Sequence, residues 1–521
     1  MKKNLLLAVC SFLILFNSNA QSKVFKEVSD EISSQVNAIM QDGALVGYLM
    51  FTQLEKVSED SFSYKISIMD ENLNDIGVVN FREEKISLQS VAFEQDVLCL
   101  AYLKSNVIGQ KFKKLKGYKS AAPTANNSIV TQFLNLEGKI LKTNQIAVDI
   151  KTSTFKNNEG FFVGTGSLDH GIQLRNINQK GFALFYGDKD IQQLVTYTST
   201  GEVLWKKNID VAKYYSLFTT PNDIYMVVKK KDKMDEGGYE AWSYATADGK
   251  QYPNYEMKDK EGRSLKILSF DNDLTTGNLY AAGNIINPNK GNSYYTAKDV
   301  ANGPYDGVFT ISFNGHNKGD IKEVFTYWSG GDLKPEISTR GRLMENKHFA
   351  KYYHCSRDFN GNTYFAGTSF TKRPKIGAIV ASVVFLPLLA PPILLAGLGY
   401  NKCYGKDAVI LKQTPKGVLS IDNFVASSHP HVVVGRAPFE GFVNNKTFYH
   451  VTNSNTKSNY LIIDDTKNIT LYNINKRQVT RTIPHKDGKI RTNVYPAKEG
   501  HILVSEYNQK EKYTRLSIEA L

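Results

Sequence analysis

Three groups of residues have types and spacings that suit chemistry. His429-Pro430-His431 would put two imidazoles on one strand face at a spacing that suits a metal ion. No third ligand accompanies them, and an exposed loop before Val432 to Val434 is the simpler account. Asp271, Asp273 and Thr275 fall at positions 1, 3 and 5 of a Ca²⁺ loop, and Asp358, Asn360 and Asn362 repeat the pattern. Neither set has the Gly at position 6 or the terminal Glu of an EF-hand loop, so ordinary turn chemistry explains both. Trp205, Trp242 and Trp328 lie in or beside strands of three successive units, where they would form a sugar-stacking face or, more simply, pack one unit against the next. The chain has no Gly-x-Ser-x-Gly elbow, no P-loop, no His-Glu-x-x-His helix and no Cys-x-x-Cys pair. No catalytic residue, metal ligand or cofactor is therefore assigned from the sequence.

The elements that must position such residues are strands. The 521 residues include 41% hydrophobic and 22% charged residues, values of an ordinary folded protein rather than a disordered or collagenous one. Phe62, Tyr64, Ile66 and Ile68 show the period of two of a half-buried strand. Glu137-Gly138, Thr200-Gly201, Asp248-Gly249, Asn314-Gly315 and Lys416-Gly417 each punctuate a strand pair, at intervals of 63, 48, 66 and 102 residues. Four short strands with turns need about 40 to 50 residues, the size of one propeller blade. Apolar runs beginning near Tyr48, Val97, Phe182, Ile224, Leu279, Thr363, Thr447 and Ile502 read as the innermost strand of each blade, making eight, with seven as the alternative count. The last unit, from about Arg491 to Leu521, has too few strands for a blade, so both termini are expected to complete it and close the ring. The expected fold is thus an all-β propeller over 45–521. A helix is expected in 21–44, where Val28, Ile32, Val36, Ile39 and Met40 follow a 3.6 period before Gly43. Two stacked sandwiches are the competing architecture.

Two units are especially alike. Gly277-Asn278-Leu279-Tyr280-Ala281-Ala282-Gly283 and Gly361-Asn362-Thr363-Tyr364-Phe365-Ala366-Gly367 are each followed by an Asp-initiated apolar strand, from Asp306 to Gly315 and from Asp407 to Gly417. Residues 271 to 424 thereby resemble the bacterial SBBP-type β-propeller repeat. The resemblance implies architecture only. The repeat style and the N-terminus together also look like an exported protein of the Bacteroidota.

That N-terminus reads as an export signal over 1–20. Lys2 and Lys3 precede the twelve-residue apolar run Leu5 to Phe16, and Ser18-Asn19-Ala20 offers a cleavage site. Cys10 lies inside the apolar run behind Val9, which argues against lipidation. Removing 1–20 lowers the formal charge from +13 to +11 by taking away two lysines. The positive excess is diffuse, and its densest runs, Lys111 to Lys119 and Lys229 to Lys233, read as solvated loops. With the export signal, this argues against nucleic acid as a partner. Cys99 reads as a core thiol, whereas Cys355 and Cys403 flank one unit and are a candidate disulfide in an oxidising compartment, with two unpaired thiols as the plainer alternative.

Residues 376–400 are 25 consecutive residues without a charge, broken by Pro387, Pro391 and Pro392. A single span would strand the last 121 residues (521 − 400) across the bilayer, away from the sheets they complete. A helical hairpin entering and leaving one side avoids this. Val384, Phe385, Leu386, Leu388, Leu389, Ile393, Leu394 and Leu395 are its candidate membrane-inserting residues, and Lys372, Arg373, Lys375, Lys402 and Lys406 flank both ends to meet anionic lipid headgroups. Burial against protein and a true span are the alternatives.

Two functions follow as expectations. One is an exported, non-catalytic binding or scaffold protein of the cell envelope, taking a protein or glycan partner and held at lipid through 376–400. The other is a propeller hydrolase or lyase with its site at the central channel. Three or more Asp, Glu or His converging there would favour the second.

Overall fold

A computed structural model describes residues 21–521 apart from 27–34, 59–60, 108–110, 122–125, 149–152, 158–159, 165–171, 188–191, 210–213, 230–237, 288–304, 331–335, 375–400, 429–447 and 487. Eight four-stranded antiparallel sheets follow one another along the chain. They are blade 1 (35–83), blade 2 (86–148), blade 3 (173–208), blade 4 (214–256), blade 5 (265–327), blade 6 (349–425), blade 7 (448–484) and blade 8 (490–520). Blade 8 supplies only three strands of its own. Its fourth is Ser22–Lys26, paired antiparallel with Tyr513–Ala520, so the two ends of the chain close the ring as expected.

The rank of the strands differs from the expectation. Contacts between blades run through the first strand of each: Ile86–Glu94 touches Gln35–Gln41 and Gln173–Ile177, and Phe349–Arg357 touches Leu265–Asn272 and Phe448–Asn453. First strands therefore line the axis. Seven of the eight apolar runs are second strands, and only the one near Thr447 adjoins a first strand. The reason is burial on both faces. In Val97–Ser105, Leu98, Leu100 and Tyr102 pack toward blade 1, whereas Val97, Cys99, Ala101 and Leu103 pack toward blade 3. A strand wedged between two neighbours has no polar face, so it reads as a continuous apolar run. Eight core clusters occupy the eight blade-to-blade interfaces, including the closing one, where Tyr48 and Met50 meet Leu503, Leu516 and Ile518.

The five residue-plus-Gly steps are all turns between third and fourth strands, in blades 2 to 6. Four of these glycines have left-handed backbones, and Gly201 and Gly249 also lie flat against the preceding blade. A Cβ on them would come within 2.6 Å of Phe133 and 2.9 Å of Trp205 respectively.

The helix expected in 21–44 is replaced by strands: Ser22–Lys26, and Gln35–Gln41 paired with Ala44–Lys56. Val36 and Met40 pack toward blade 8 while Ile39 packs toward blade 2, so both faces are apolar and the spacing imitates a helical stripe. Val28 and Ile32 lie outside the described residues. A short helix, Leu115–Ala121, and a three-stranded sheet (Ser153–Asn157, Gly160–Gly164, Lys111–Phe112) are additions to blade 2. Among the described residues no helix is long and apolar enough to cross a membrane.

The disulfide expectation is corrected by the ladder. Cys355 stands opposite Phe365 and Cys403 opposite Lys372, seven positions (372 − 365) further along the same strand. That is roughly 23 Å at about 3.3 Å per residue, whereas a disulfide needs Cα atoms within about 7 Å. Cys355 and Cys99 are free and buried, and burial pushes both thiols up.

Candidate functional site

Placing first strands at the axis brings together residues that are remote in sequence. Asp271 comes from blade 5, His354 from blade 6, His450 from blade 7 and Arg175 from blade 3. His354 Nε2 and His450 Nδ1 lie 3.0 Å apart, and His450 Nε2 is 3.5 Å from Asp271 Oδ2. The ring centroids are 5.1 Å apart with planes 28° from parallel, so the imidazoles meet nearly head-on, as one N–H donating to one ring nitrogen requires. Asp271 accepting from His450 Nε2–H leaves His450 Nδ1 as the acceptor for His354 Nε2–H. Arg175 donates through Nε to the Leu217 carbonyl and through Nη1 to its neighbour Leu174, with its guanidinium 5.9 Å from the Phe218 ring.

Two carboxyl and imidazole shifts follow from this placement. Burial in the ring raises Asp271, but the His450 hydrogen bond and charge, with Arg175, outweigh it and hold the carboxyl below its usual range. Burial pushes His354 down to about 3, the charge of His450 adds to this, and Asp271 opposes it. A general base at neutral pH needs a pKa near the working pH, and His354 lies far below it. The pair is a fixed polar wall at neutral pH, with His354 neutral.

This placement predicts acid sensitivity. Below 6.5 the unfolded chain binds a proton that folded His354 refuses, so stability falls as pH drops from about 6.5 toward 3. His354 and its partners are only partly buried, which makes the slope shallower than a fully buried site would give. Urea midpoints taken at about pH 7 and about pH 5, above the carboxylate range, should show the drop, and His354→Gln should shrink it. An equal drop in both proteins would assign the sensitivity elsewhere.

The sequence did not single out His354, His450 or Arg175. They follow no motif, and 96 residues separate the two histidines. Asp271 was read as one position of a Ca²⁺ loop, yet it points into the channel while the rest of that loop turns away. Asp273 Oδ1 accepts from the backbone N–H of Thr275 and Thr276, and Asp358 Oδ1 accepts from those of Asn360 and Asn362. Both carboxylates cap turns. Among the described residues no three His, Cys, Asp or Glu form a metal-holding group. The tryptophans pack between blades: Trp205 Nε1 donates to the Thr246 carbonyl of the next blade, and Trp328 is buried beside Tyr352 and Leu411. Trp242 packs in the interface of blades 3 and 4. Val384, Phe385, Leu386, Leu388, Leu389, Ile393, Leu394, Leu395, His429 and His431 lie outside the described residues.

A second feature is the face on which these turns sit. In an antiparallel blade the turn from first to second strand and that from third to fourth share one face, and the other connections share the opposite one. The shared-turn face is short-looped and capped by side chains. Asp70 Oδ1 accepts from the N–H of Asn72 and Asn74, Asn135 Oδ1 from Lys139, Thr198 Oγ1 from Glu202, Asp248 Oδ1 from Lys250, and Asn453 Oδ1 from Asn455. The opposite face carries the extra sheet of blade 2 and a ribbon of blade 6. In that ribbon Phe370–Pro374 pairs with Asn401–Gly405 and its arms end away from the capped turns.

Eight blades, closed by strands from both termini around a polar axis, make this an eight-bladed β-propeller. The family model described as "Family of unknown function (DUF6770)" matches residues 1–341 of the 521, and the chain belongs to that family. Comparison with curated proteins returns no match. Among solved structures the chain is similar to the Dos1 propeller (6% identity, 88% of each chain, TM-score 0.39). It is similar also to apo AztD from Citrobacter koseri (10% identity, 88% of this chain and 92% of that one, TM-score 0.36). A europium-containing methanol dehydrogenase is a third (8% identity, 94% and 93%, TM-score 0.40). The fold assignment rests on the sheet order itself.

Proposed function

We propose that this chain is an exported propeller of the cell envelope that holds a protein or glycan on its capped-turn face without converting it, and that 376–400 attaches it to lipid. The observation that carries this reading is pre-organisation. Turns whose backbone amides are already satisfied by their own Asp, Asn and Thr side chains lose little freedom when a partner docks. The ribbon arms at Pro374 and Asn401 leave from the opposite face, so lipid attachment there would turn the capped face toward solution. The signal-like residues 1–20 support export, and the SBBP-type pattern of blades 5 and 6 supports kinship with exported repeat proteins. Flotation on vesicles containing anionic lipid, compared with and without 376–400, tests the attachment. Equal flotation removes it. Capture from envelope fractions by the full chain, compared with a Lys139→Glu/Lys250→Glu/Lys416→Glu variant of the capped face, tests the docking face. Identical capture removes that.

The convergence of Asp271, His450 and His354 favours a second reading, a hydrolase or lyase working at the channel. Asp271→Asn would then abolish turnover of any substrate while leaving partner capture intact.

A further inference from the structure

A cleft of about 450 Å³ opens on the capped-turn face between blades 5 and 6. Its floor carries Arg357, whose Nη1 donates to Asp273 Oδ2 at 2.9 Å and to Ser312 Oγ at 3.2 Å, with the guanidinium 4.1 Å from the Tyr280 ring. The ion pair is largely buried, with side chains 9% and 8% exposed, and it is therefore fixed in place. Burial raises Asp273, but hydrogen bonds from Thr275 and Arg357 hold its carboxyl below the usual carboxylate range.

Around this floor stand groups that bind nothing of the protein's own among the described residues. Exposed Lys322 lines the cleft, and its ammonium has no carboxylate partner among the described residues. The Thr310 hydroxyl and the Asn360 side-chain amide line it too, and neither has a hydrogen-bond partner among the described residues. Phe359 adds a half-buried aromatic ring. Two cations face one carboxylate, so the cleft carries one uncompensated positive charge beside hydroxyl and amide groups and a ring. The volume sits at the small end of ligand sites, near monosaccharide or disaccharide size.

We propose that this cleft binds a hydroxylated carboxylate of sugar size, with Lys322 pairing its carboxylate, Thr310 and Asn360 meeting its hydroxyls and Phe359 covering its C–H face. The inference rests on the reading of the capped-turn face as the docking face and names what one part of it takes. A free sugar acid and the uronate end of a glycan share this chemistry.

Titration calorimetry of the full chain with sodium glucuronate, glucose and a disaccharide ending in an unsubstituted glucuronate tests it. Glucuronate should bind and glucose should bind at least tenfold more weakly, because glucose has no group to pair with Lys322. Lys322→Ala should weaken glucuronate at least tenfold, and Lys322→Glu should abolish it, with thermal melting unchanged in both. Tighter binding of the disaccharide than of glucuronate assigns the site to glycan ends, and the reverse assigns it to free sugar acids. No binding of either acid, or binding that survives Lys322→Glu, overturns the proposal. Partner capture that still depends on Lys139, Lys250 and Lys416 would then leave the docking face standing without this ligand.

Discussion

Gly367→Ala is expected to be among the most damaging single substitutions in the ring. Gly367 stands opposite Tyr352 at the point where the first strand of blade 6 bulges, the register slipping between Tyr352 and His354. A Cβ there would lie 2.1 Å from the Lys351 carbonyl oxygen and 2.7 Å from the Tyr352 Cα. Both are backbone, and neither yields without undoing the bulge. Overpacking costs about 1–3 kcal/mol where side chains can shift, so a backbone clash belongs at or above the upper end. Gly283 repeats the arrangement in blade 5, with its Cβ 2.0 Å from the Lys266 carbonyl oxygen and a bulge between Ile267 and Ser269. Gly277 supplies the comparison. Its φ is +70° but a Cβ would meet nothing within 4 Å, so Gly277→Ala carries only the left-handed penalty of about 1–2 kcal/mol. Urea midpoints and thermal melts should rank Gly367→Ala well below Gly277→Ala. The bulge also sets the phase of His354, so the substitution should erase the acid sensitivity assigned to that residue. Equal melting of the two variants would show that the bulge tolerates a side chain.

Removing Ser22–Lys26 is expected to change the association state more than the melting temperature. The strand adds a five-residue ladder to Tyr513–Ala520, and Lys23 Nζ bridges to Asp75 of blade 1 at 2.5 Å. Each ladder hydrogen bond contributes about 1 kcal/mol net, and ordering each residue costs about 1–2 kcal/mol, so the two nearly cancel. Phe25 is half-buried and Val24 is 52% exposed, which adds little burial. What the strand does is cover an edge. Without it Tyr513–Ala520 presents unpaired N–H and C=O groups along an eight-residue strand, a template for another chain. Light scattering should report dimers or larger species for the shortened protein at concentrations where the full chain does not form them. A shortened protein that matches the full chain in size would show that the edge is protected in another way.

Much of the fold was legible because its causes are local. A residue-plus-Gly step makes a hairpin whatever surrounds it, and the five that stand out are the same turn in five blades. The count of eight also held, since each blade contributes one long apolar run. Its rank did not hold. Apolar runs mark the strand that is buried on both sides, and the axis is lined by strands such as Phe349–Arg357, which mix Lys, Tyr, His and Ser. The same two-sided burial made Gln35–Gln41 look helical. Turn chemistry was legible too: Asp273 and Asp358 cap turns, as their spacing suggested, although Asp271 leaves its group for the channel.

The sequence alone determined that this chain makes short strands, tight glycine turns and a repeated unit, because those follow from the backbone preferences of neighbouring residues. Tertiary structure decided which side chains share a site. Asp271, His354, His450 and Arg175 meet because a closed ring carries corresponding positions of its inner strands to one axis, however far apart they lie along the chain. It also decided that Cys355 and Cys403 stand apart, since antiparallel register sets their separation.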